Sequence, residues 1–295
     1  MTAHTHGEVF GDAAKAAFAA AYPKQFCKLE HTLTDEPLLT LDALATLAAA
    51  LPEDSIEYNP GALPIGIAPE DVPASSLGVV ETIRNIGESG SWVVLKRIEQ
   101  IPAYAALLES VLGELNGTVF PRTGEMLRHE GFIFVSSPNA VTPFHFDPEH
   151  NILLQLAGSK TMTLFPAGDE AISPPRVHEA FHMGEHHRNL PYSQDFAGRG
   201  TAITINPGEA IHVPVKSPHW VQVGPGAPSI SLSITWRSEW SYAEADARAF
   251  NRALRKFGLD PASPRPFPAR NMGKALIWRA IERANAMLRP KPPAT

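Results

Sequence analysis

The sequence predicts a mainly β protein with flanking helices, built around a double-stranded β-helix, or jelly roll. Two observations predict it. From Arg128 to Trp236 the chain breaks into short, strand-like runs separated by Gly and Pro, the spacing of an all-β roll whose inner faces can enclose a ligand. The 295 residues also include 28 prolines and 21 glycines, which implies many turns and short elements and argues against a helical bundle.

Residues 1–127 form a mixed α/β scaffold expected to pack on the roll, or to roof a substrate groove. Asp12 to Ala21 is Ala-rich and helix-prone, yet too short to stand without a tertiary partner. Gln25 to Leu33 suits a strand. Thr40 is placed to N-cap a helix through Ala50, in which Leu44, Leu47, Ala48 and Leu51 make one apolar stripe and Pro52 marks the stop. A helix over Leu77 to Ile86 and a strand over Ser91 to Lys96 follow. Ile101 to Leu115 has the periodicity of an amphipathic helix, with Leu107, Leu108, Val111, Leu112 and Leu115 on its apolar side.

Residues 128–237 carry eight predicted strands: Gly131 to Ser136, Thr142 to Asp147, Asn151 to Leu156, Lys160 to Phe165, Thr201 to Ile205, Ala210 to Val215, Trp220 to Val223 and Ser229 to Trp236. The apolar run Ile152 to Leu156, the Ala157-Gly158-Ser159 turn and Lys160 read together as a hairpin. Ala167 to Gly200 is too long for a plain turn and holds His178, His182, His186 and His187. Without an ordered frame of ligands it reads as a substrate-facing lid in preference to a second metal site. In residues 238–295, Ser241 and Glu244 have the spacing of a capping box for a helix to Phe257, with Gly258 at its stop. A Pro-rich link then leads to an amphipathic helix, Met272 to Leu288, with Leu276, Ala280, Ile281, Ala284 and Met287 on one side. Both helices are expected to cover the roll.

Composition narrows the function. A net charge of −6 gives no electrostatic footprint for nucleic acid. The single Cys27 rules out an internal disulfide and an all-Cys zinc site, which suits a cytoplasmic location. No apolar run reaches membrane-spanning length, and the start MTAHTHGEVFGD lacks the order of a signal peptide.

Chemistry concentrates in TPFHFDPEHNILLQLAGSK, residues 142–160. His145 and Asp147 stand two apart in an extended run, so the strand period sends both side chains to one face. A second His would complete the two-His, one-carboxylate facial triad, which leaves positions on Fe(II) open for a co-substrate and for oxygen. The segment PGEAIHVPVKSPHWVQV offers His212 and His219. Lys160, pointing into a sheet interior, needs an anion to meet it, and a ligand carboxylate is the natural partner.

These residues resemble the cupin-like Jumonji C group of Fe(II) and 2-oxoglutarate oxygenases, and in particular the asparaginyl hydroxylase that inhibits the hypoxia-inducible factor. The group's pattern T-P-x-H-x-D-x-x-x-N followed by G-x-K is matched by Thr142, Pro143, His145, Asp147, Asn151, Gly158 and Lys160. Its later pattern, ending in the second His ligand, runs here from Gly208 and Glu209 through Pro214 to His219. The resemblance thus implies His145, Asp147 and His219 as the iron ligands and leaves His212 as a packed imidazole. It implies that Lys160 and Thr142 hold the distal carboxylate of 2-oxoglutarate, with Asn151 near its metal-bound end and, on the closing strand, Ser233 or Ile234 at the cofactor-facing place. Val94 stands where the related enzyme has a 2-oxoglutarate-contacting tyrosine, so Arg237 is a candidate replacement anion partner. The expected activity is hydroxylation of a protein or peptide side chain by iron, 2-oxoglutarate and O2. The alternatives are a small-molecule hydroxylase of the same chemistry, or a cupin that binds a metal or ligand without turnover. Lys160 separates these readings, because a cupin without 2-oxoglutarate has no evident need for it. In the resembling family C-terminal helices can join two subunits, which implies a possible homodimer.

Overall fold

The computed structural model describes residues 7–60, 64–68, 71 and 78–288. Its strands form two antiparallel sheets laid face to face. Strands β1 (Cys27–Glu30), β2 (Ile56–Pro60), β3 (Ser91–Lys96), β4 (Met126–Ser136), β6 (His150–Ala157), β9 (Glu209–Val213) and β11 (Ser229–Ser238) make the larger sheet, in the order β1-β9-β6-β11-β4-β3-β2. The smaller sheet is β5 (Val141–His145), β10 (His219–Val223), β7 (Lys160–Leu164) and β8 (Thr201–Ile205), in that order. Consecutive strands alternate between sheets through the centre of the chain, which is the wrapping of a double-stranded β-helix.

That wrapping overturns the expected hairpin. β6 pairs with β9 and β11, and β7 pairs with β10 and β8, so the two strands lie in different sheets. The corner between them is Gly158, at φ +64°, where a Cβ would stand 2.3 Å from the Pro228 carbonyl oxygen. Only glycine fits both the left-handed backbone and that close approach. Lys160 therefore starts the opposite wall, facing the larger sheet across the roll.

The period of two in SISLSITW then sorts side chains by face. Ile230, Leu232, Ile234 and Trp236 join the large outer core, which also holds residues of α1 (Asp12–Ala21), α2 (Leu41–Ala50) and α4 (Pro102–Thr123). The intervening Ser231, Ser233 and Thr235 point the other way, into the roll. One end of the roll is closed by Leu153, Met162, Ile211, Val213 and Val221. Trp92, Val94, Ala140 and Val223 form a separate apolar cluster.

Several helices begin or end where local rules place them, and others do not. The Thr40 hydroxyl accepts from the Ala43 N–H at the start of α2, as expected of an N-cap. α3 spans Val79–Arg84; the expected start at Leu77 lies outside the described residues. α4 runs on past Leu115 because Val119 and Thr123, both fully buried, continue its inward stripe. The capping box of α6 (Glu239–Lys256) is formed one turn earlier than its predicted residues, by Ser238 and Ser241, each side chain accepting from the other's backbone N–H. Glu244 is instead an interior residue of that helix. α7 (Met272–Leu288) does not cover the roll: it packs on α6 through Ala275 and an Arg279 to Asp246 ion pair, leaving Leu276, Ile281 and Met287 exposed. No described helix is long and apolar enough to cross a membrane.

Candidate active site

His145 ends β5 and His219 begins β10, and the two residues are register partners, so the ladder itself sets their rings 4.2 Å apart between centroids. Asp147 lies beyond the end of β5, not on its face as the strand period suggested. It is brought back by the β9–β10 turn, where the Lys216 N–H donates to the Asp147 carbonyl at 2.7 Å. The carboxylate oxygens then stand 3.9 Å from His145 Nε2 and 3.8 Å from His219 Nε2. Among the described residues this is the only group of three or more His, Cys, Asp or Glu whose ligand atoms lie within 4.8 Å of one another.

The donor set suits a divalent transition metal. His145 Nδ1 donates to the Pro143 carbonyl at 2.7 Å and His219 Nδ1 to the Ser217 carbonyl at 2.9 Å. Each backbone contact fixes the tautomer and leaves the Nε2 lone pair free for a metal. Burial, helped by the neighbouring His219, pushes the His145 pKa down to about 4, so the ring is neutral at physiological pH. Burial by itself would raise the Asp147 carboxyl, but His145, Arg188 and His219 outweigh it and hold the group at about 2. Two imidazoles and one carboxylate are the ligands of the facial triad.

Beside them a cavity of about 120 Å³ runs between the sheets, and Thr142, Asn151, Lys160 and Ser233 all line it. Lys160 is buried; its Nζ donates to Ser231 Oγ at 2.7 Å and sits 5.1 Å from the Phe134 ring centroid. With no carboxylate opposite, burial lowers its pKa to about 7. Ser233 Oγ donates to Asn151 Oδ1 at 2.8 Å, and Asn151 Nδ2 approaches Asp147 Oδ2 at 3.4 Å, so these two residues connect the cavity wall to the Asp147 carboxylate. Arg237 does not line the cavity. Its guanidinium bonds Ser241, lies over the Tyr242 ring and approaches Glu149 at 3.7 Å, which removes it as the replacement anion partner. Phe132 and Phe134 line the cavity and pack against the cluster that contains Val94, which does not itself line it.

The sequence reading missed Ser231, Glu130, Phe132 and Phe134. A signal existed, since β4 and β11 alternate with period two, but which face turns inward depends on the pairing across sheets. His212 is fully buried on the opposite face of the larger sheet, bonded to the Asn151 carbonyl and packed against Phe18 and Tyr22.

Residues 167–200 are neither a plain solvated insertion nor a detached lid. α5 (Pro175–His182) packs on α6 with His178 and Glu179 buried, and Phe181 and Leu190 join Phe144, Phe146 and Phe165 in a cluster on the smaller sheet. His178 bonds Ser173 at 2.9 Å and forms no metal group. Residues 188–190 run along β5: Phe146 N–H donates to the Arg188 carbonyl and Leu190 N–H to the Phe144 carbonyl. Arg188 thereby enters the cavity and donates from Nη1 to Asp147 Oδ1 at 2.8 Å. Behind the site, Glu244 of α6 pairs with Lys216 and Arg248, all three buried; burial outweighs the Glu244 charge and lowers Lys216 to about 7, whereas for Glu244 the two cations outweigh burial and hold the carboxyl well below the usual range.

Fold and site together define a double-stranded β-helix protein with a two-His, one-carboxylate group opening on a cavity lined by both apolar and polar side chains. The chain has the fold of YcfD from E. coli, matching it with a TM-score of 0.52 at 15% identity over 96% of this chain and 70% of that one. YcfD, described as a ribosomal oxygenase, in complex with cobalt and 2-oxoglutarate matches with a TM-score of 0.51 at 14% identity, over 96% and 69%. In sequence, 105 residues are 30% identical to Jumonji C domain-containing protein 5 of Drosophila melanogaster, 32% of this chain and only a quarter (25%) of that protein's length. No protein-family model matches the chain. The likeness in sequence supports the Jumonji C resemblance, and the likeness in fold supports the double-stranded β-helix.

Proposed function

We propose that this protein is an Fe(II)- and 2-oxoglutarate-dependent oxygenase that hydroxylates a protein or peptide side chain. The observation that carries the reading is a buried cation, Lys160, in the same cavity as the His145, Asp147 and His219 group. His145, Asp147 and His219 would hold the metal; Lys160 and Thr142 would hold the distal carboxylate of 2-oxoglutarate, with Asn151 and Ser233 near its other end. When bound, iron with 2-oxoglutarate and O2 supplies the oxidising power to convert C–H to C–OH, the co-substrate leaving as succinate and carbon dioxide. The chain's own residues orient the ligands, neutralise a buried anion and keep the reacting centre dry. A protein substrate is favoured by the likeness to a ribosomal oxygenase. We further assign the catalytic unit to residues 128–237, with 1–127 as scaffold, and a cytoplasmic location. The exposed apolar side of α7 is read as a homodimer contact, measurable by light scattering.

Anaerobic Fe(II) titration with and without 2-oxoglutarate tests the proposal directly: a visible charge-transfer band is expected only when both are present, and its absence would reject it. Lys160→Ala should weaken 2-oxoglutarate about tenfold to a hundredfold while the metal still binds, the loss of a charge-assisted hydrogen bond of roughly 1.5–3 kcal/mol. An unchanged 2-oxoglutarate requirement would move the anchor to another residue.

Proton linkage offers a second measurement. The folded Lys160 pKa of about 7 lies below the ordinary value of about 10.4. Between these values the unfolded chain binds more protons, so the free protein gains stability as pH rises through that window, and the burial penalty is fully present below pH 7. A carboxylate bound beside Lys160 restores its proton. Calorimetry of 2-oxoglutarate binding near pH 8 should therefore show proton uptake, as a dependence of the heat on buffer ionisation enthalpy, and Lys160→Met should lose it.

A further inference from the structure

We propose that Arg188 is a positioning residue that keeps Asp147 a one-oxygen metal ligand, so that the stretch 167–200 decides how many positions on the metal remain open. This rests on the metal-centre reading above and concerns a residue outside the roll's own strands.

The two oxygens of Asp147 are not equivalent. Oδ1 receives the Arg188 Nη1 donor at 2.8 Å, a charge-assisted bond, whereas Oδ2 has only the neutral Asn151 amide at 3.4 Å, long enough to be weak. Each oxygen faces one ring, Oδ1 at 3.9 Å from His145 Nε2 and Oδ2 at 3.8 Å from His219 Nε2, so the hydrogen bonds distinguish them: with Oδ1 engaged by Arg188, Oδ2 is the oxygen left for a metal. The main chain that carries this guanidinium is held in place, while the side chain itself stays 47% exposed. Arg188 belongs to a short extended run bonded to the metal-bearing strand on both sides of His145, with Asn189 bridging His145 itself. A cation on a free loop would sample many positions; the backbone of this one is tied to the residues it serves.

The consequence follows from coordination number. Carboxylates bind metals through one oxygen or two, and a facial triad leaves open positions for a chelating co-substrate and oxygen only if its carboxylate uses one. A planar guanidinium held on Oδ1 opposes the two-oxygen mode. Removing it frees Asp147 to close over one more position. It also removes a positive charge beside the metal, so metal binding itself should not weaken.

The test uses the full chain with Co(II) as a spectroscopic probe, comparing wild type, Arg188→Gln and Arg188→Lys. Folding is checked by circular dichroism. For Arg188→Gln the expected results are Co(II) affinity equal to or tighter than wild type, an altered Co(II) d–d absorption band before any 2-oxoglutarate is added, and 2-oxoglutarate affinity for the Co(II) form reduced about tenfold or more. Arg188→Lys should recover the wild-type band in part. An unchanged Co(II) band with weakened 2-oxoglutarate would make Arg188 a direct co-substrate contact and overturn the proposal. So would a folded variant that loses Co(II) affinity tenfold, or one identical to wild type throughout. Failure of wild type to bind Co(II) would instead sink the metal-centre reading.

Discussion

Asp147→Ala abolishes metal binding and, with it, any oxygen-dependent conversion of 2-oxoglutarate to succinate, while the protein stays folded. Three side chains make the group, and losing the carboxylate leaves only two imidazoles and no anionic ligand. Substituting residues that merely orient a ligand typically weakens a site about tenfold to a hundredfold, so deleting a ligand should exceed that range. The fold should survive because the contact that shapes the turn is the Lys216 N–H to the Asp147 main-chain carbonyl, which alanine retains. The measurement is an anaerobic Co(II) or Fe(II) titration alongside circular dichroism. A folded variant that binds metal as tightly as wild type would remove Asp147 from the site.

Glu244→Ala should have the largest effect on stability. The carboxylate is buried between Lys216 and Arg248, with His182 Nε2 at 3.9 Å. Its removal leaves two cations inside the protein without their shared counter-ion, a change that typically costs about 3–5 kcal/mol. The urea midpoint should fall accordingly. Lys216 also belongs to the turn that holds Asp147 through its backbone N–H, and Ser217, the next residue, supplies the carbonyl for His219 Nδ1. Metal affinity should therefore fall in the folded fraction as well. If Glu244→Ala unfolds the chain, Glu244→Gln, which keeps the shape and hydrogen-bonding capacity, should give a folded protein of intermediate stability. A Glu244→Ala protein as stable as wild type would mean that the buried cations find other partners or water.

The connection explains why the insertion and the C-terminal helices bear on a site made by the roll. Shortening His178 to His187 would remove part of α5, the layer that packs on α6, not a hinged cover. The Glu179 contacts to Arg255 and Asn251 would be lost with it. The expected outcome is a general loss of stability, not the clean uncoupling that a detached lid predicts.

Much of the local structure was written in residue order. Asp12 to Ala21, Ser91 to Lys96, Thr201 to Ile205 and Met272 to Leu288 fold as the helices and strands their periodicities specify, with the bounds expected. Short-range steric and hydrogen-bonding rules decide such segments, and all the information they use lies within a few positions. The grouping of His145, Asp147 and His219 was legible in part: the strand period offered His145 and Asp147, and the family resemblance singled out His219 over His212. Tertiary structure decided the rest. It placed β6 and β7 in opposite sheets, turned Ser231 toward Lys160, buried Glu244 against Lys216 and brought Arg188 to Asp147. Each of the last three joins residues 28 to 71 positions apart. Their meeting depends on which strand edges remain free for pairing and which buried charges must be matched, conditions that exist only once the two sheets have closed on each other.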